Sequence, residues 1–222
     1  MPKKAPVIVI DGPAGVGKST VAREIARRLE LPFLDTGAIY RAVTLTMLRD
    51  NIPPSDSPEL RGRLGEFSVS FSGVRVFIGG EDVTDEIRTP HIDANVSPYS
   101  ALPVVREFLL ETQRKQQKDG LIAEGRDMGT VVFPGADLKV YLIASPEERA
   151  RRRCAERTTK GEHADYDEIL SQVRARDEMD STRDIAPLKP ADDAIILDTT
   201  DLSFEDVTAR VMSFAALVAE GE

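Results

Sequence analysis

Residues 12–20 read Gly12-Pro13-Ala14-Gly15-Val16-Gly17-Lys18-Ser19-Thr20, and Gly12 to Ser19 fit the pattern G-x-x-x-x-G-K-[ST]. The run before them, Pro6-Val7-Ile8-Val9-Ile10, is short and β-branched, as a buried strand is. After them, Val21, Ile25, Ala26 and Leu29 recur at helical spacing. Strand, glycine loop and helix is the context in which such a loop cradles phosphate. Glycines let the backbone curl until several N–H groups face one anion, and the helix that follows adds its free N–H groups and its dipole. Lys18 is expected to reach the β- and γ-phosphates of a bound nucleotide, and the Ser19 hydroxyl to ligate Mg²⁺. A glycine-rich turn that binds nothing would leave the flanking strand and helix unexplained.

Outward from the loop, strand and helix patterns alternate. Leu31 to Asp35 reads as a short strand and Thr36 to Asp50 as a helix, and Asn51 to Glu59 holds three prolines and reads as a loop. The texture then changes. Phe67 to Phe71 alternates, Val74 to Ile78 is β-branched, and Gly79-Gly80 can turn a third strand at Glu81 to Thr84. This predicts a small antiparallel sheet inserted in an α/β chain. Arg88 to Lys118 is expected to be helical, broken around Ser97-Pro98 and Leu102-Pro103. Strands follow at Gly120 to Ala123, Leu138 to Ile143 and Ala194 to Asp198. Ser145-Pro146-Glu147-Glu148 is a helix start, and Ser203 to Glu220 is the last helix. The fold class is therefore α/β: about five strands in a parallel sheet covered by helices on both faces. Ligands on such sheets bind at the carboxyl ends of the strands, where the glycine loop sits.

A chain of 222 residues suits one functional unit with appended flaps. Its net charge of −9 argues against non-specific contact with nucleic acid. No apolar run is long enough for a membrane helix, and Met1 to Ala5 lead into no signal-peptide core. Cys154 is the single cysteine, and with His91 and His163 it makes no metal cluster. These features read as a cytoplasmic protein with neither membrane nor nucleic-acid partner. Against that acidic background the arginines Arg149, Arg151, Arg152, Arg153 and Arg157 stand out, either as a solvated helix face or as a clamp for phosphate oxygens.

The loop alone does not choose among kinase, GTPase, motor and sensor. A guanine-reading Asn-Lys-x-Asp is absent. Arg41 follows a glycine-bearing helix start, Arg126 follows a central strand, and Arg176 and Arg183 are expected on one helical face. Four arginines around one phosphate loop suit a second phosphorylated substrate, which a sensor of ATP does not need.

With these residues the sequence resembles the bacterial cytidylate kinases over nearly its whole length. The resemblance rests on the loop, Leu34-Asp35-Thr36-Gly37-Ala38-Ile39-Tyr40-Arg41, and Glu81-Asp82-Val83-Thr84 with Ile87-Arg88. It continues through Ser97, Val105-Arg106-Glu107 and Gly125 to Pro134, then Arg176-Asp177, Asp180-Ser181, Arg183 and Ala186-Pro187-Leu188. It implies a P-loop kinase fold that transfers a phosphoryl group from ATP to CMP or dCMP, with Mg²⁺, as a monomer. It implies a core of residues 1–62 and 98–222, an inserted monophosphate-binding segment at 63–97, and a helical lid at about 149–166. Gly12, Pro13, Ala14, Gly15, Val16, Gly17, Lys18, Ser19 and Thr20 would hold ATP, with Arg153 and Arg157 from the lid. Ser97, Arg106 and Asp127 would read cytosine. Arg41, Arg126 and Arg183 would clamp the CMP phosphate, and Thr36 would line the same pocket. Asp180 would hold the sugar hydroxyls. Arg176 would lie near the sugar or the transferring group, which makes Lys18, Arg126, Arg176 and Arg183 the catalytic set. A nucleoside monophosphate is already anionic at neutral pH, so no general base is expected. The rival acceptors are UMP, AMP or a small metabolite.

Overall fold

The computed structural model describes residues 5–117 and 120–220. The expectations at Met1 to Lys4, and the helical one at Lys118, lie outside the described residues. The described strands are β1 (Val7–Asp11), β2 (Phe33–Asp35), β3 (Val69–Ser72), β4 (Arg75–Ile78), β5 (Glu81–Asp82), β6 (Leu121–Gly125), β7 (Leu138–Ile143) and β8 (Ile195–Asp198). The α-helices are α1 (Lys18–Leu29), α2 (Thr36–Arg49), α3 (Pro58–Gly65), α4 (Pro90–Ala101), α5 (Pro103–Arg114), α6 (Pro146–Thr159), α7 (Tyr166–Thr182) and α8 (Phe204–Glu220). The chain divides into two compact units, one of Met1–Leu34 with Gln117–Glu222 and one of Asp35–Gln116. The segment 63–97 falls inside the second of these.

The first unit carries a five-stranded sheet in the order β2-β6-β1-β7-β8, and β1 pairs in parallel with both β6 and β7. β1 and β6 are buried along their whole length, which is why they are apolar runs rather than alternating ones. Ile8, Ile10, Ile25, Ile122, Leu142 and Val211 make the core between this sheet and helices α1 and α8. Fully burying each such side chain is worth roughly 1.5–3 kcal/mol. The register sets Asp11 opposite Gly125 on one side and Tyr141 on the other, so β1 and β6 end together beside the glycine loop while β7 runs on to Ile143. Helices α6 and α7 share a smaller core of Ala150, Ile169 and Val173, against which Cys154 packs. That contact fits the cysteine as a packing residue.

The second unit holds the antiparallel sheet β3-β4-β5, as the alternating texture predicts. Several readings differ from expectation. The loop expected over Asn51 to Glu59 ends early, because Ser57 accepts from Leu60 N at 3.2 Å and Pro58 opens α3. β5 stops at Asp82, whose Oδ1 accepts from both the backbone and the hydroxyl of Thr84 and turns the chain. The expected break at Ser97-Pro98 is absent. Helix α4 runs through Pro98, anchored by buried Ile92, Val96 and Tyr99, and the Tyr99 hydroxyl donates to Ile52 O at 2.6 Å. The break at Leu102-Pro103 is real, since Leu102 is extended (ψ 125) and a residue before proline is pushed out of the helical region. In the first unit, Arg183 sits just past the end of α7 with ψ 143, not on the helical face expected for it with Arg176.

Candidate active site

β1 delivers the chain into the glycine loop, where Gly12, Gly15 and Gly17 all take positive φ. Gly12 has φ 146, and a Cβ on it would lie 2.2 Å from Leu142 O of β7. Gly17 has φ 94 and caps α1 with no side chain to bond the first-turn N–H groups. By contrast, Asp35, Ser57, Ser145 and Asp165 each accept from the first turn of the helix they cap. The first turn of α1 also carries no acidic residue. The N-terminus of α1 thus carries neither a side-chain cap nor a first-turn carboxylate.

Lys18 is 5% exposed, and its Nζ donates to Pro13 O at 2.7 Å inside the loop. Burial, and then repulsion from Arg126, lower its pKa to about 7; Glu124 and Asp11 pull the other way. Ser19 Oγ donates to Glu124 Oε1 at 2.6 Å, so a hydroxyl and a carboxylate meet beside the loop. Both are hard oxygen donors of the kind Mg²⁺ prefers. Among the described residues, no group of three or more His, Cys, Asp or Glu side chains could hold a metal ion.

In the same unit an arginine cluster surrounds Asp180, which is 5% exposed. Arg126 Nε donates to Asp180 Oδ2 at 3.0 Å, and Arg183 Nη1 lies 3.6 Å from Asp180 Oδ1. Burial alone would raise the Asp180 carboxyl, but Arg126, Arg176 and Arg183 together hold it below its ordinary value. Burial would likewise weaken the charge on Arg126; Asp180 and Glu124 outweigh it and hold the pKa above normal. The chain after α7 folds back to support the cluster. Arg183 Nε donates to Ala186 O at 2.6 Å, and Leu188 N to Asp180 O at 2.8 Å. Asp127 is buried next to Arg126, and its carbonyl accepts from Val131 N and Val132 N in a single π-helical turn, Met128–Val132.

The arginines of α6 divide into two kinds. Arg149 is buried and bidentate to Asp177 (2.9 and 2.5 Å), and its Nη1 also donates to Ala14 O in the loop at 3.1 Å. Arg152 pairs with Glu148 at 2.9 Å and reaches Thr199 O at 2.5 Å. The reading of the run as a solvated helix face does not hold for these two, whose guanidiniums bond within the protein. Arg153 and Arg157 are half-buried on the same helix.

The second unit holds the remaining candidates. Thr36 is buried at the start of α2, next to the cap Asp35, which accepts from Ala38 N at 2.9 Å and pairs with Arg88 at 3.3 Å. Arg41 pairs with Asp93 and donates to Ile87 O at 3.4 Å. Ser97 and Arg106 are buried; Arg106 donates to Ser100 O at 2.9 Å and lies over the Tyr40 ring, 5.4 Å from its centroid.

The family model for cytidylate kinase matches residues 8–216. The chain belongs to the cytidylate kinase family. A cytidylate kinase of Carboxydothermus hydrogenoformans is 47% identical over 210 residues, covering 92% of this chain and 95% of that one. One of Pseudomonas aeruginosa is 46% identical, covering 93% of each. Among solved structures, a gluconokinase from Sinorhizobium meliloti aligns over 98% of this chain and 96% of its own, at 15% identity and a TM-score of 0.53, a likeness of fold alone.

Three polar residues of this cytidylate kinase family member escaped sequence reasoning. Glu124 bonds Ser19, Asp93 pairs with Arg41, and Asp11 accepts from two amides of the π-helical turn. Asp11 and Glu124 stand at the ends of apolar strand runs, and a charge there was the available signal.

Proposed function

We propose that this enzyme transfers the γ-phosphoryl group of ATP to CMP or dCMP, giving ADP and CDP or dCDP. The observation that carries this reading is the match to the cytidylate kinase family across residues 8–216. The glycine loop and Lys18 hold the triphosphate, and Arg153 and Arg157 close over it from a lid at 149–166. Buried Lys18 and the bare N-terminus of α1 support that role. Mg²⁺, held by Ser19 with Glu124 alongside, supplies charge neutralisation when bound.

Arg41, Arg126 and Arg183 hold the CMP phosphate, with Thr36 beside them and Arg176 near the transferring group. Asp180 holds the sugar hydroxyls. Ser97, Arg106 and Asp127 read cytosine: a carboxylate accepts from N4, while serine and arginine donate to N3 and O2. Uracil reverses the polarity at N3 and position 4. A buried polar group left unpaired costs about 1–3 kcal/mol, so two mismatches give discrimination on the order of 10²-fold. The attacking phosphate oxygen is already anionic, so this chain's residues position and neutralise rather than abstract a proton. On this reading the enzyme works as a cytoplasmic monomer, with segment 63–97 serving the monophosphate.

The test is ADP release with CMP, dCMP, UMP, AMP and no acceptor, repeated with Asp127→Ala. Turnover with CMP and dCMP, and a CMP/UMP ratio that collapses in Asp127→Ala, is expected. A ratio unchanged in the variant overturns the role of Asp127, and turnover independent of acceptor overturns the reaction.

A further inference from the structure

Asp11 is the last residue of β1, immediately before Gly12, and is 5% exposed. Its two carboxylate oxygens are spent on one neighbouring turn. Oδ1 accepts from Met128 N at 3.0 Å and Oδ2 from Gly129 N at 2.8 Å. Those amides open the π-helical turn that follows Arg126 and Asp127. The turn in turn closes on Asp127 O through Val131 N at 2.9 Å, and Phe133 N donates to Met128 O at 2.7 Å. A Cβ on Gly129 would lie 3.2 Å from Lys139 Cδ and 3.5 Å from Asp11 Oδ2.

We propose that Asp11 is a positioning residue for the acceptor substrate: its carboxylate ties the strand that feeds the phosphate loop to the turn that aims Arg126 and Asp127. This rests on the reading above, in which Arg126 and Asp127 contact CMP. A buried carboxylate that accepts two parallel backbone N–H bonds fixes a turn more tightly than a neutral side chain does, because both bonds are charge-assisted. The competing role is a counter-charge for Lys18. Asp11 ranks below Glu124 among the charges that support Lys18, and the Lys18 Nζ hydrogen bond goes to Pro13 O instead.

Burial raises the Asp11 carboxyl to about 6, against the two amide bonds that lower it, with Asp127 adding to the rise and Lys18 opposing it. Arg126 and Tyr141 also feel its charge, and the Lys139 stem packs on Gly129 across the turn. The clamp is therefore complete above about pH 6 and loosens below it.

Asp11→Asn tests the clamp. The amide group keeps one acceptor but turns a donor toward the second N–H. KM for CMP should rise on the order of tenfold or more, and the CMP/UMP ratio should fall, while ATP affinity measured without acceptor stays within about twofold. Weaker ATP binding with an unchanged KM for CMP makes Asp11 a counter-charge for Lys18 and overturns the proposal. A second measurement uses the wild-type fold. The amide proton signals of Met128 and Gly129 should titrate together with a midpoint near 6. No titration of these amides, or one that persists in a folded Asp11→Asn protein, overturns it as well. Wild-type protein that fails to phosphorylate CMP brings down the proposed function and this role together; wild-type activity with a silent Asp11→Asn strikes Asp11 alone.

Discussion

Asp180 receives the Nε of Arg126 at 3.0 Å while Arg183 stands 3.6 Å from its other oxygen, so one buried carboxylate neutralises guanidiniums from a strand end and a helix end. Arg176 acts on the same carboxylate. Asp180→Asn removes the carboxylate that these cations share. Removing one partner of a buried pair costs about 3–5 kcal/mol. The variant should melt well below wild type, and sulfate or phosphate in the buffer should restore much of the loss, since an anion substitutes for the carboxylate. Melting curves in chloride and in sulfate decide it; a deficit equal in both salts would exclude an electrostatic origin. The Asp180 pKa is depressed on folding, so its contribution is present above the unfolded value of 3.8 and fades as pH falls below that. The acid limb of wild-type stability should therefore flatten in Asp180→Asn.

Lys18 predicts a proton linkage to ATP. Its folded pKa is about 7, lowered first by burial. A bound triphosphate places negative charge beside the amine and raises that value again. Binding above pH 7 must then take up a proton, and ATP affinity should be greatest where Lys18 is already charged and decline as pH rises through about 7. Calorimetry in buffers of different ionisation enthalpy measures the uptake directly. It should be clear at pH 8 and vanish in Lys18→Met. Equal heats in all buffers would contradict the depressed pKa.

Gly12 and Gly17 both have positive φ, but they predict different outcomes. At Gly17 an added Cβ meets nothing within 4 Å, so Gly17→Ala costs only the left-handed backbone, about 1–2 kcal/mol. At Gly12 the same Cβ lies 2.2 Å from a β7 carbonyl, and backbone must move. Gly12→Ala should lose several-fold more stability in urea and separate β1 from β7 at the edge of the site. Equal midpoints for the two variants would refute the contrast.

The phosphate loop, the parallel sheet and the inserted antiparallel sheet were legible because each has a local signature: glycine spacing, buried β-branched runs, alternation. Ser145-Pro146 and Glu148 announced α6, and the Ser145 side chain does accept from Glu148 N. What stayed hidden depends on partners distant in sequence. Pro98 sits inside α4 because burial of Ile92, Val96 and Tyr99 outweighs a lost hydrogen bond, which a reading of local proline preferences misses. The π-helical turn at Met128–Val132 has no sequence period, and Asp11 is its partner across more than a hundred residues. A run of arginines likewise hides which members brace the protein and which face outward.

Arg149 and Arg153 turn that last ambiguity into a measurement. Arg149 joins three elements: Ala144 O at 3.0 Å, Ala14 O of the loop at 3.1 Å, and Asp177 of α7 through two bonds. Lysine keeps the charge but has no planar fork and cannot hold all three at once. A broken buried hydrogen bond to a charged group costs about 1–3 kcal/mol or more. Arg149→Lys should therefore lower the melting temperature and also weaken ATP binding, because Ala14 loses its tether. Arg153→Ala removes a half-buried side chain from the same helix. It should raise KM for ATP, if the lid closes on the triphosphate as proposed. Melting temperature and KM for ATP, measured on both variants, separate the brace from the clamp. A stable Arg149→Lys with normal ATP affinity would show that the Asp177 pair is dispensable, and the lid would then be held by the Ala150, Ile169 and Val173 core alone.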